Sequence, residues 1–367
     1  MGDRCIIMSS RRRDEPMPVK HWSFAGLMLT YWCNASCASC YLACSPVRRG
    51  ADMTVEQALS LWEGLISASP HGCRIHLTGG EAFGDWPRLI EICRRAQAAG
   101  LGPLEKVETN AFWASDAAIV RDRAAALDAA GMGTLCISAD PYHQQFVPIE
   151  RCRLAARTAA EVLGPGRVQV RWRDWLADGF DTADLSPRDR DEVFAKYAAG
   201  GRDRLAGRAA ETIAAHLSCK SWREYADTNC REAVLRSRHV HVDPSGLVMP
   251  GTCAGLVLGR ASAGRDFLAG RGLDADRLGR ACAGADLAGL WACLSDDYAS
   301  RPVVGTLARG GPSALAAEAI EAGFVPRAGG YAGKCQLCWD VRRWFAGRAM
   351  HADELGPAWM YGQAELT

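Results

Sequence analysis

Residues 24–41 read FAGLMLTYWCNASCASCY, an apolar run followed closely by three cysteines. The apolar residues 24–30 predict a buried β-strand. Cys33, Cys37 and Cys40 follow on the loop after it with the spacing C-x3-C-x2-C. A four-iron, four-sulfur (4Fe-4S) cluster takes four ligands, usually thiolates. Three clustered thiolates therefore leave one iron free for a group that is not protein.

The main alternative for these three cysteines is a zinc site. Structural zinc sites usually combine paired C-x2-C knuckles and close with four protein ligands. The loop offers neither a second pair nearby nor a histidine. The spacing therefore favours an iron–sulfur cluster over a zinc ion.

The composition is that of a large globular chain without a dominant charge. Its 367 residues are 49% hydrophobic, enough for two domains or for one barrel with an appendage. Lys and Arg number 43 and Asp and Glu 42, so the formal net charge is +1. Such a charge gives no strong field for nucleic acid or an anionic membrane. We expect neither as a partner.

The sixteen cysteines need a chemical explanation. No apolar run reaches the roughly 20 residues of a membrane span, and the apolar part of the N-terminus is too short for a secretory signal. We therefore expect a cytoplasmic protein, in which thiols stay reduced and disulfides are rare. Ligation of metals or clusters is then the natural use for several of the cysteines.

Short apolar runs alternate with longer helical patterns from about residue 24 to 215, as in repeated βα units around a parallel sheet. The predicted strands are residues 24–30, 74–78, 106–109, 134–138 and 167–172. The predicted helices are residues 54–68, 87–99, 114–130 and 151–163. A sixth unit is not visible, because residues 177–220 carry mostly helical signals. The pattern predicts an α/β protein with a parallel sheet.

The pattern changes near Cys219. Residues 239–250 predict a hairpin about a Pro-Ser-Gly turn, and residues 312–322 predict a helix. We divide the chain into three parts, which are an N-terminal segment of residues 1–23, an α/β unit of residues 24–218 and a C-terminal part of residues 219–367. No low-complexity linker separates the last two, so we expect them to pack closely.

The cysteine triad and a second motif together resemble a known superfamily. Gly79-Gly80-Glu81 follows the second predicted strand, one βα unit after the triad. A triad on a βα loop followed by Gly-Gly-Glu resembles the radical S-adenosylmethionine (radical SAM) enzymes. The resemblance covers roughly residues 24 to 215 and implies a partial (β/α)6 TIM barrel. Sites in such barrels lie at the C-terminal ends of the strands, where these motifs fall.

The resemblance also implies a chemistry. The three thiolates would hold a 4Fe-4S cluster whose fourth iron is chelated by the amino and carboxylate groups of S-adenosylmethionine. Reduction would release methionine and a 5′-deoxyadenosyl radical, which abstracts hydrogen from a substrate. Gly79 and Gly80 would let the backbone approach the methionine moiety. Glu81 would lie near the ammonium group, or it would steady the loop.

Further cofactor contacts are implied for residues after the later strands and beside the triad. Asn110 and Ser138 stand where the superfamily often places polar contacts to the ribose or methionine. Arg171 would meet the carboxylate, with an ordinary surface or core-edge arginine as the alternative. Many members carry an aromatic residue just before the third cysteine, where this chain has Ser39. Tyr41 follows instead, and we include it among the predicted cofactor-binding residues.

The loop after the fourth predicted strand carries a candidate acid or base. Residues 140–145 read DPYHQQ, and His143 is the titratable group best suited to proton transfer there. The alternative is a capped surface loop without a role in catalysis.

The C-terminal part holds a second set of cysteines, Cys230, Cys253, Cys335 and Cys338. A cysteine, a hairpin with a glycine turn and later cysteines resemble the SPASM and twitch extensions, which enclose an auxiliary 4Fe-4S cluster. The longer cysteine run of a full SPASM domain is absent, so a twitch-like extension with one cluster fits better. The alternatives are a structural zinc at the same four sulfurs, Cys219 as ligand in place of Cys230, and a free Cys230 that leaves an open iron.

These observations predict a radical SAM enzyme that abstracts hydrogen from a ribosomal peptide or protein, the substrates that enzymes with such caps often modify. A small-molecule substrate, such as a sugar or an amino acid, is the alternative, since the residues before the first strand are too few for a peptide-recognition domain. A non-enzymatic iron–sulfur or zinc scaffold is the third hypothesis, and the Gly-Gly-Glu motif argues against it. A flavodoxin or ferredoxin is the expected electron donor.

Overall fold

A computed structural model of the chain describes residues 18–48, 52–261 and 287–362. Five parallel strands form one half of its sheet, and helices connect them in the βα pattern that the sequence predicts. The strands are β1 (Phe24–Met28), β2 (Arg74–Thr78), β3 (Leu104–Thr109), β4 (Thr134–Ile137) and β5 (Val168–Val170). The helices between them are α1 (Val55–Ser67), α2 (Trp86–Ala98), α3 (Ala117–Ala129) and α4 (Ile149–Leu163). The α/β prediction is confirmed.

Local sequence signals explain where these elements begin and end. Thr54 caps α1: its side chain accepts from the backbone N–H of Gln57, whose own side chain accepts from the N–H of Thr54. Such a reciprocal cap satisfies two donors that a helix start leaves unpaired. Leu61, Trp62 and Leu65 then lie on the buried face of α1 against the sheet.

The sheet continues beyond β1 with strands from the C-terminal part of the chain. The strand order is β5-β4-β3-β2-β1-β6-β7-β8, with β6 (His239–Val242), β7 (Leu247–Pro250) and β8 (Gly259–Arg260). β6 runs parallel to β1, and β6 and β7 form the predicted antiparallel hairpin. The Asp243 carboxylate accepts three hydrogen bonds within its turn, and Gly246 has a φ of 78° that favours glycine.

The position of β6 differs from the expected six-unit barrel. A sixth strand of such a barrel would follow β5, whereas β6 lies next to β1 at the other side of the parallel strands. Residues 171–238 supply short helices and turns between β5 and β6, including α5 (Arg173–Asp178), α6 (Pro187–Ala198) and α7 (Arg231–Val234). A hairpin assigned to the C-terminal part therefore shares one sheet with the predicted α/β unit.

The remaining α-helices among the described residues lie in the C-terminal part. They are α8 (Leu287–Asp297), α9 (Pro302–Arg309), α10 (Gly311–Glu321), which corresponds to the predicted helix 312–322, and α11 (Lys334–Ala346). Trp339 of α11 and Tyr361 share a buried apolar cluster with Met28, Tyr31 and Leu42 around the cysteine loop. The cysteine loop is thus packed against the C-terminal part. No helix within the described residues is both long and apolar enough to cross a membrane.

Candidate active site and the distal cysteine group

The three cysteines of the triad lie on a compact loop directly after β1. The backbone N–H of Cys33 donates to the carbonyl of Ser45 over 3.2 Å, which closes the loop, and the N–H of Cys40 donates to the carbonyl of Cys37 over 3.1 Å. Cys33 and Cys37 are buried, and Cys40 is partly exposed. All three line one cavity of about 490 Å³.

The same cavity collects polar residues from the carboxyl ends of four strands. Because parallel strands end at one edge of a sheet, residues that follow them meet there although they are far apart in sequence. Every residue predicted to bind the cofactor or to act as acid or base lines this cavity, namely Tyr41, Gly79, Gly80, Glu81, Asn110, Ser138, His143 and Arg171. The sequence-based selection therefore describes one continuous surface around the triad.

The two glycines of the Gly-Gly-Glu motif pack closely against the backbone that leads into the triad. The N–H of Gly80 donates to the carbonyl of Thr30 over 2.7 Å, and a Cβ on Gly80 would lie 1.9 Å from the carbonyl oxygen of Trp32. Gly79 has a φ of +133°, and its Cβ would lie 2.6 Å from the carbonyl oxygen of Thr30. Within the protein, then, these glycines are required by the close approach of β2 to the cysteine loop.

Glu81 is buried, and its carboxylate accepts three hydrogen bonds from protein groups. The donors are the hydroxyl of Thr109 at 2.8 Å, the N–H of Asn110 at 2.7 Å and the N–H of Phe83 at 3.2 Å. Burial raises the pKa of Glu81 to about 7, against the opposing effect of these hydrogen bonds. Of the two predicted roles, these contacts correspond to the one that steadies the loop.

Asn110 and Ser138 stand at the ends of β3 and β4, next to the triad and its cavity. The amide of Asn110 donates to the Asn34 side chain over 2.8 Å and lies 3.7 Å from the sulfur of Cys33. The N–H of Ser138 donates to the carbonyl of Thr109 over 2.9 Å. Asn110 therefore links β3 directly to the first cysteine of the triad.

His143 belongs to the cavity wall and forms an ion pair. Its Nδ1 lies 2.7 Å from a carboxylate oxygen of Asp140, and its side chain is 20% exposed. Burial opposes protonation, but the Asp140 carboxylate and then the Cys37 thiol raise the pKa of His143 well above its usual value. Asp140 also caps the turn by accepting from the N–H groups of Tyr142 and His143. Asp140 therefore caps the turn and holds the His143 imidazole at the cavity wall.

Charges of both signs line the deeper part of the cavity. The Lys106 ammonium lies 2.7 Å from the Glu108 carboxylate, which also accepts from the hydroxyl of Thr78 over 2.7 Å. Arg171 lines the same cavity with a solvent-exposed side chain; partial burial opposes its charge, but Glu108 and Asp140 raise its pKa. A cavity with such walls suits a polar or charged molecule better than an apolar one.

Arg208 holds the cysteine loop, although no sequence pattern marks it. Its guanidinium donates to the carbonyls of Cys37 over 2.9 Å and Cys44 over 2.6 Å, and its backbone N–H donates to the carbonyl of Cys40 over 3.0 Å. Gly207 comes so near that a Cβ there would lie 2.5 Å from the carbonyl oxygen of Cys40. The segment after α6 thus fixes the loop from a distance of about 170 residues in sequence.

Cys44 is a fourth thiol in the same loop, which the sequence reasoning missed. It is buried, lines the cavity and forms a hydrogen bond with the Cys40 sulfur. That hydrogen bond, followed by the charge of Arg208, lowers the pKa of Cys40, while the pKa of Cys44 is raised. These shifts favour Cys44 as the donor and Cys40 as the acceptor of this hydrogen bond. Its spacing of four residues after Cys40 was the available signal.

The distal cysteines come together from three separate segments. Cys230 immediately precedes α7, Cys253 follows β7, and Cys335 and Cys338 lie in the first turns of α11. Burial and then the neighbouring thiols of Cys338, Cys253 and Cys335 raise the pKa of Cys230. Cys219 is exposed, and its thiol lies 3.8 Å from the carbonyl of Leu217. The thiol of Cys230 therefore lies near the thiols of Cys338, Cys253 and Cys335.

A buried arginine lies against this distal group. Arg342 of α11 is 2% exposed and donates to the Cys338 sulfur over 3.3 Å, to the carbonyl of Ala254 over 2.8 Å and to the hydroxyl of Tyr361 over 3.2 Å. No carboxylate forms an ion pair with it in the part of the chain that the structure describes. A buried cation without an anion is costly, so thiolates or a ligated cluster suit this place.

A single metal ion requires its thiol ligands to lie close to one another. A tetrahedral zinc with Zn–S bonds of about 2.3 Å holds its sulfurs about 3.8 Å apart. Over residues 18–48, 52–261 and 287–362, the one group of three or more ligand atoms within 4.8 Å of one another is that of His76, His239 and His241. Neither cysteine group is so compact.

Comparisons with known proteins give structural neighbours only. No protein-family model and no curated protein matches the sequence. The crystal structure of BtrN in complex with AdoMet and 2-DOIA is 14% identical, with a TM-score of 0.41, and the match covers 80% of this chain and 90% of that chain. Native anSMEcpe with bound AdoMet and Cp18Cys peptide is 14% identical, with a TM-score of 0.35 and coverages of 62% and 73%.

A third neighbour is Streptococcus suis SuiB bound to S-adenosylmethionine, which is 12% identical with a TM-score of 0.29 and coverages of 63% and 61%. These three proteins are radical SAM enzymes, the class that the cysteine triad and the Gly-Gly-Glu motif predict. Because the TM-scores lie below 0.5, the likeness carries no argument for the activity. The case for the activity rests on the residues of the site.

Proposed function

We propose that this protein is a radical SAM enzyme that acts on a substrate bound in the cavity beside Cys33, Cys37 and Cys40. One observation carries the proposal. The three thiols of a single loop and the polar residues after β2, β3, β4 and β5 line the same cavity of about 490 Å³. A scaffold that only bound iron or zinc would need the thiols but not the cavity.

The triad would hold a 4Fe-4S cluster together with S-adenosylmethionine, which when bound supply reductive cleavage to a 5′-deoxyadenosyl radical and hydrogen abstraction. The protein's own contribution is to hold the loop rigid. Arg208 fixes the carbonyls of Cys37 and Cys44, and Asn110 approaches Cys33. Such preorganisation of ligands by their hydrogen-bonded neighbours is typical of metal and cluster sites.

The charged groups of the cavity suit the two ends of an amino acid moiety. The carboxylates of Asp140 and Glu108 would attract an ammonium group, and Arg171 would bind a carboxylate. His143, whose pKa the Asp140 carboxylate raises against the opposing effect of burial, would provide a second cation near Cys37. The residues thus support binding of a zwitterion such as the methionine part of S-adenosylmethionine.

The distal group of Cys230, Cys253, Cys335 and Cys338 would hold an auxiliary 4Fe-4S cluster that transfers electrons or stabilises the fold. The argument is the buried guanidinium of Arg342, which has no carboxylate partner among the described residues and lies 3.3 Å from the Cys338 sulfur. Four protein thiols leave no open coordination position on such a cluster. An electron donor such as a flavodoxin or ferredoxin would supply the reducing equivalents.

For the substrate we propose a ribosomal peptide or protein, as the sequence predicts. A small polar molecule is the second candidate, and the mixed charges of Lys106, Glu108 and Arg171 in the cavity favour it. The two are separated by adding the peptide fraction or the small-molecule fraction of a host extract to the reconstituted enzyme. The fraction that raises the rate of 5′-deoxyadenosine formation contains the substrate.

The proposed activity is tested by anaerobic reconstitution with iron and sulfide, reduction and addition of S-adenosylmethionine. We expect 5′-deoxyadenosine in the wild type and none above background in Cys37→Ala, which should also lose the iron of one cluster. Cys73→Ala, which changes a buried cysteine outside the cavity, is the matched control and should keep the activity. If the wild type produces no 5′-deoxyadenosine with several reductants, the proposal is wrong.

A further inference from the structure

Three histidines from two strands come together in the sheet, and none of them belongs to either cysteine group. His76 lies on β2, and His239 and His241 lie on β6. Their ligand nitrogens are all within 4.8 Å of one another, and the Nε2 atoms of His76 and His239 are 2.9 Å apart. His76 and His241 are buried, and all three imidazoles line the cavity.

Two glycines, Gly26 and Gly251, leave room for the three imidazoles to come together. β1 runs between β2 and β6, and its residue Gly26 is in register with both His76 and His241. A Cβ on Gly26 would lie 2.3 Å from Cδ2 of His241 and 2.5 Å from Nε2 of His76. A Cβ on Gly251 would lie 2.3 Å from Nδ1 of His239. The strand between the histidines thus lacks the side chain that would separate their rings.

A carboxylate stands behind the first of the three imidazoles. Nδ1 of His76 is buried without a hydrogen bond, and the nearest Glu108 oxygen is 3.6 Å away. Glu108 is itself held by the hydroxyl of Thr78 and the ammonium of Lys106, each at 2.7 Å. A histidine that faces a metal with one nitrogen and a carboxylate with the other is the usual arrangement at metal sites.

We propose that His76, His239 and His241 bind one divalent transition metal ion of the zinc type, with Glu108 orienting His76. Zinc–nitrogen bonds of about 2.0–2.1 Å place ligand nitrogens about 3.4 Å apart, which small rotations of these rings provide. Three protein ligands leave a coordination position for water or a substrate atom, as in catalytic zinc sites. The site goes beyond the proposed radical chemistry, which uses none of the three histidines.

The protonation states agree with metal binding. Burial lowers the pKa of His76 to about 3, the pKa of His239 to about 4, and the pKa of His241 well below its usual value. The imidazoles are therefore neutral at pH 7, which is the form that ligates metals. The competing explanation is packing alone, because the rings of His76 and His239 also lie against Phe24.

Zinc content and zinc X-ray absorption of the reconstituted protein distinguish the two explanations. The protein is loaded with iron and sulfide first, so that the thiols are occupied, and then receives Zn²⁺. We expect one tightly bound zinc per chain with nitrogen scatterers at about 2.0 Å. His241→Ala should lose it, whereas His216→Ala, a histidine elsewhere in the chain, should retain it. Equal zinc content in the wild type and His241→Ala, or sulfur scatterers at about 2.3 Å, would overturn the proposal.

Two further measurements guard against a variant that only misfolds. The iron content and the cluster absorbance of His241→Ala should equal those of the wild type, which checks that the variant is folded. Glu108→Gln leaves all three ligands in place and should weaken zinc binding about 10- to 100-fold. Unchanged affinity in Glu108→Gln together with unchanged zinc content in His241→Ala would leave packing alone as the role of this group. None of these measurements depends on 5′-deoxyadenosine formation.

Discussion

The two cysteine groups of this protein are assembled in opposite ways. Cys33, Cys37 and Cys40 come from one short loop that faces a cavity, and a buried carboxylate, Glu81, lies in the adjacent motif. The distal thiols come from three segments separated by up to about 100 residues, and a buried cation, Arg342, lies against them. One group is local and open to the cavity, whereas the other is assembled from distant segments beside a cation.

This difference indicates different uses. A local loop beside a cavity can present an unligated iron to a small molecule, since the protein needs only three thiols and space. Four thiols from separate segments would saturate a cluster and tie those segments together, so the role we propose for the distal group is to stabilise the C-terminal part and not to bind substrate. The comparison depends on the triad having three protein ligands and the distal group four.

The strongest test of this comparison is to substitute Cys40 and Cys44 of the loop separately. Cys40→Ser should reduce 5′-deoxyadenosine formation to background, because it removes a cluster ligand. Cys44→Ser keeps a hydrogen-bond donor to Cys40 and should change the rate by less than about tenfold. The measurement is product formation per reconstituted cluster. If Cys44→Ser is as inactive as Cys40→Ser, the loop has four ligands and is closed like the distal group.

The next effect concerns the charge at the distal group. Arg342→Met removes the cation from the thiols and should lower iron from about eight to about four per chain, with the loss confined to the distal cluster. The neighbour Arg343 is partly exposed and lies 3.4 Å from Glu211, so Arg343→Met is the control and should keep all the iron. Iron analysis with electron paramagnetic resonance of each cluster checks this. Full iron in Arg342→Met would mean that its charge is not needed there.

The carboxylate beside the triad should produce a pH dependence of stability. The pKa of Glu81 is raised from 4.5 to about 7, so the native state binds more protons than the unfolded state between these values. Its stabilising contribution is fully present below pH 4.5 and is lost as the pH rises through 7. Glu81→Gln should remove about 2 kcal/mol of this dependence between pH 5.5 and 8. Urea unfolding of both proteins across that range is the measurement, and parallel curves would contradict the assignment.

The smallest effect concerns the distant support of the loop. Arg208→Lys should lower the free energy of unfolding by about 1.5 kcal/mol, because one ammonium cannot donate to the carbonyls of Cys37 and Cys44 with the same geometry. Arg188→Lys alters an exposed arginine paired with Glu192 and should change stability by less than about 0.5 kcal/mol. Equal effects of the two substitutions in chemical denaturation would show that Arg208 does not hold the loop.

Periodic local patterns predicted most of the fold. The strand at Arg74–Thr78 agrees with its prediction at both ends, and α1 differs by one residue at each end because Thr54 and Gln57 form a recognisable cap. The position of β6 beside β1 was not predictable in this way. Strand pairing depends on contacts between residues about 200 positions apart, and a local pattern carries no information about them.

The residues of the candidate site also differ in whether the sequence made them visible. The triad and the Gly-Gly-Glu motif are visible because each is contiguous. Arg208 gave no signal, since a single arginine after a helix has many ordinary uses. The histidine group gave none either, because His76 is separated from His239 by 163 residues and Gly26 is one glycine among many.

The sequence alone determined the α/β alternation, the strand that carries the triad and the three-thiol spacing, because each depends on residues that are neighbours along the chain. The tertiary structure alone decided that β6 pairs with β1, that Arg208 holds the triad loop and that three histidines share the cavity. These features depend on which strands lie side by side. That choice is made by burial and hydrogen bonding over the whole sheet, and no short stretch of residues encodes it.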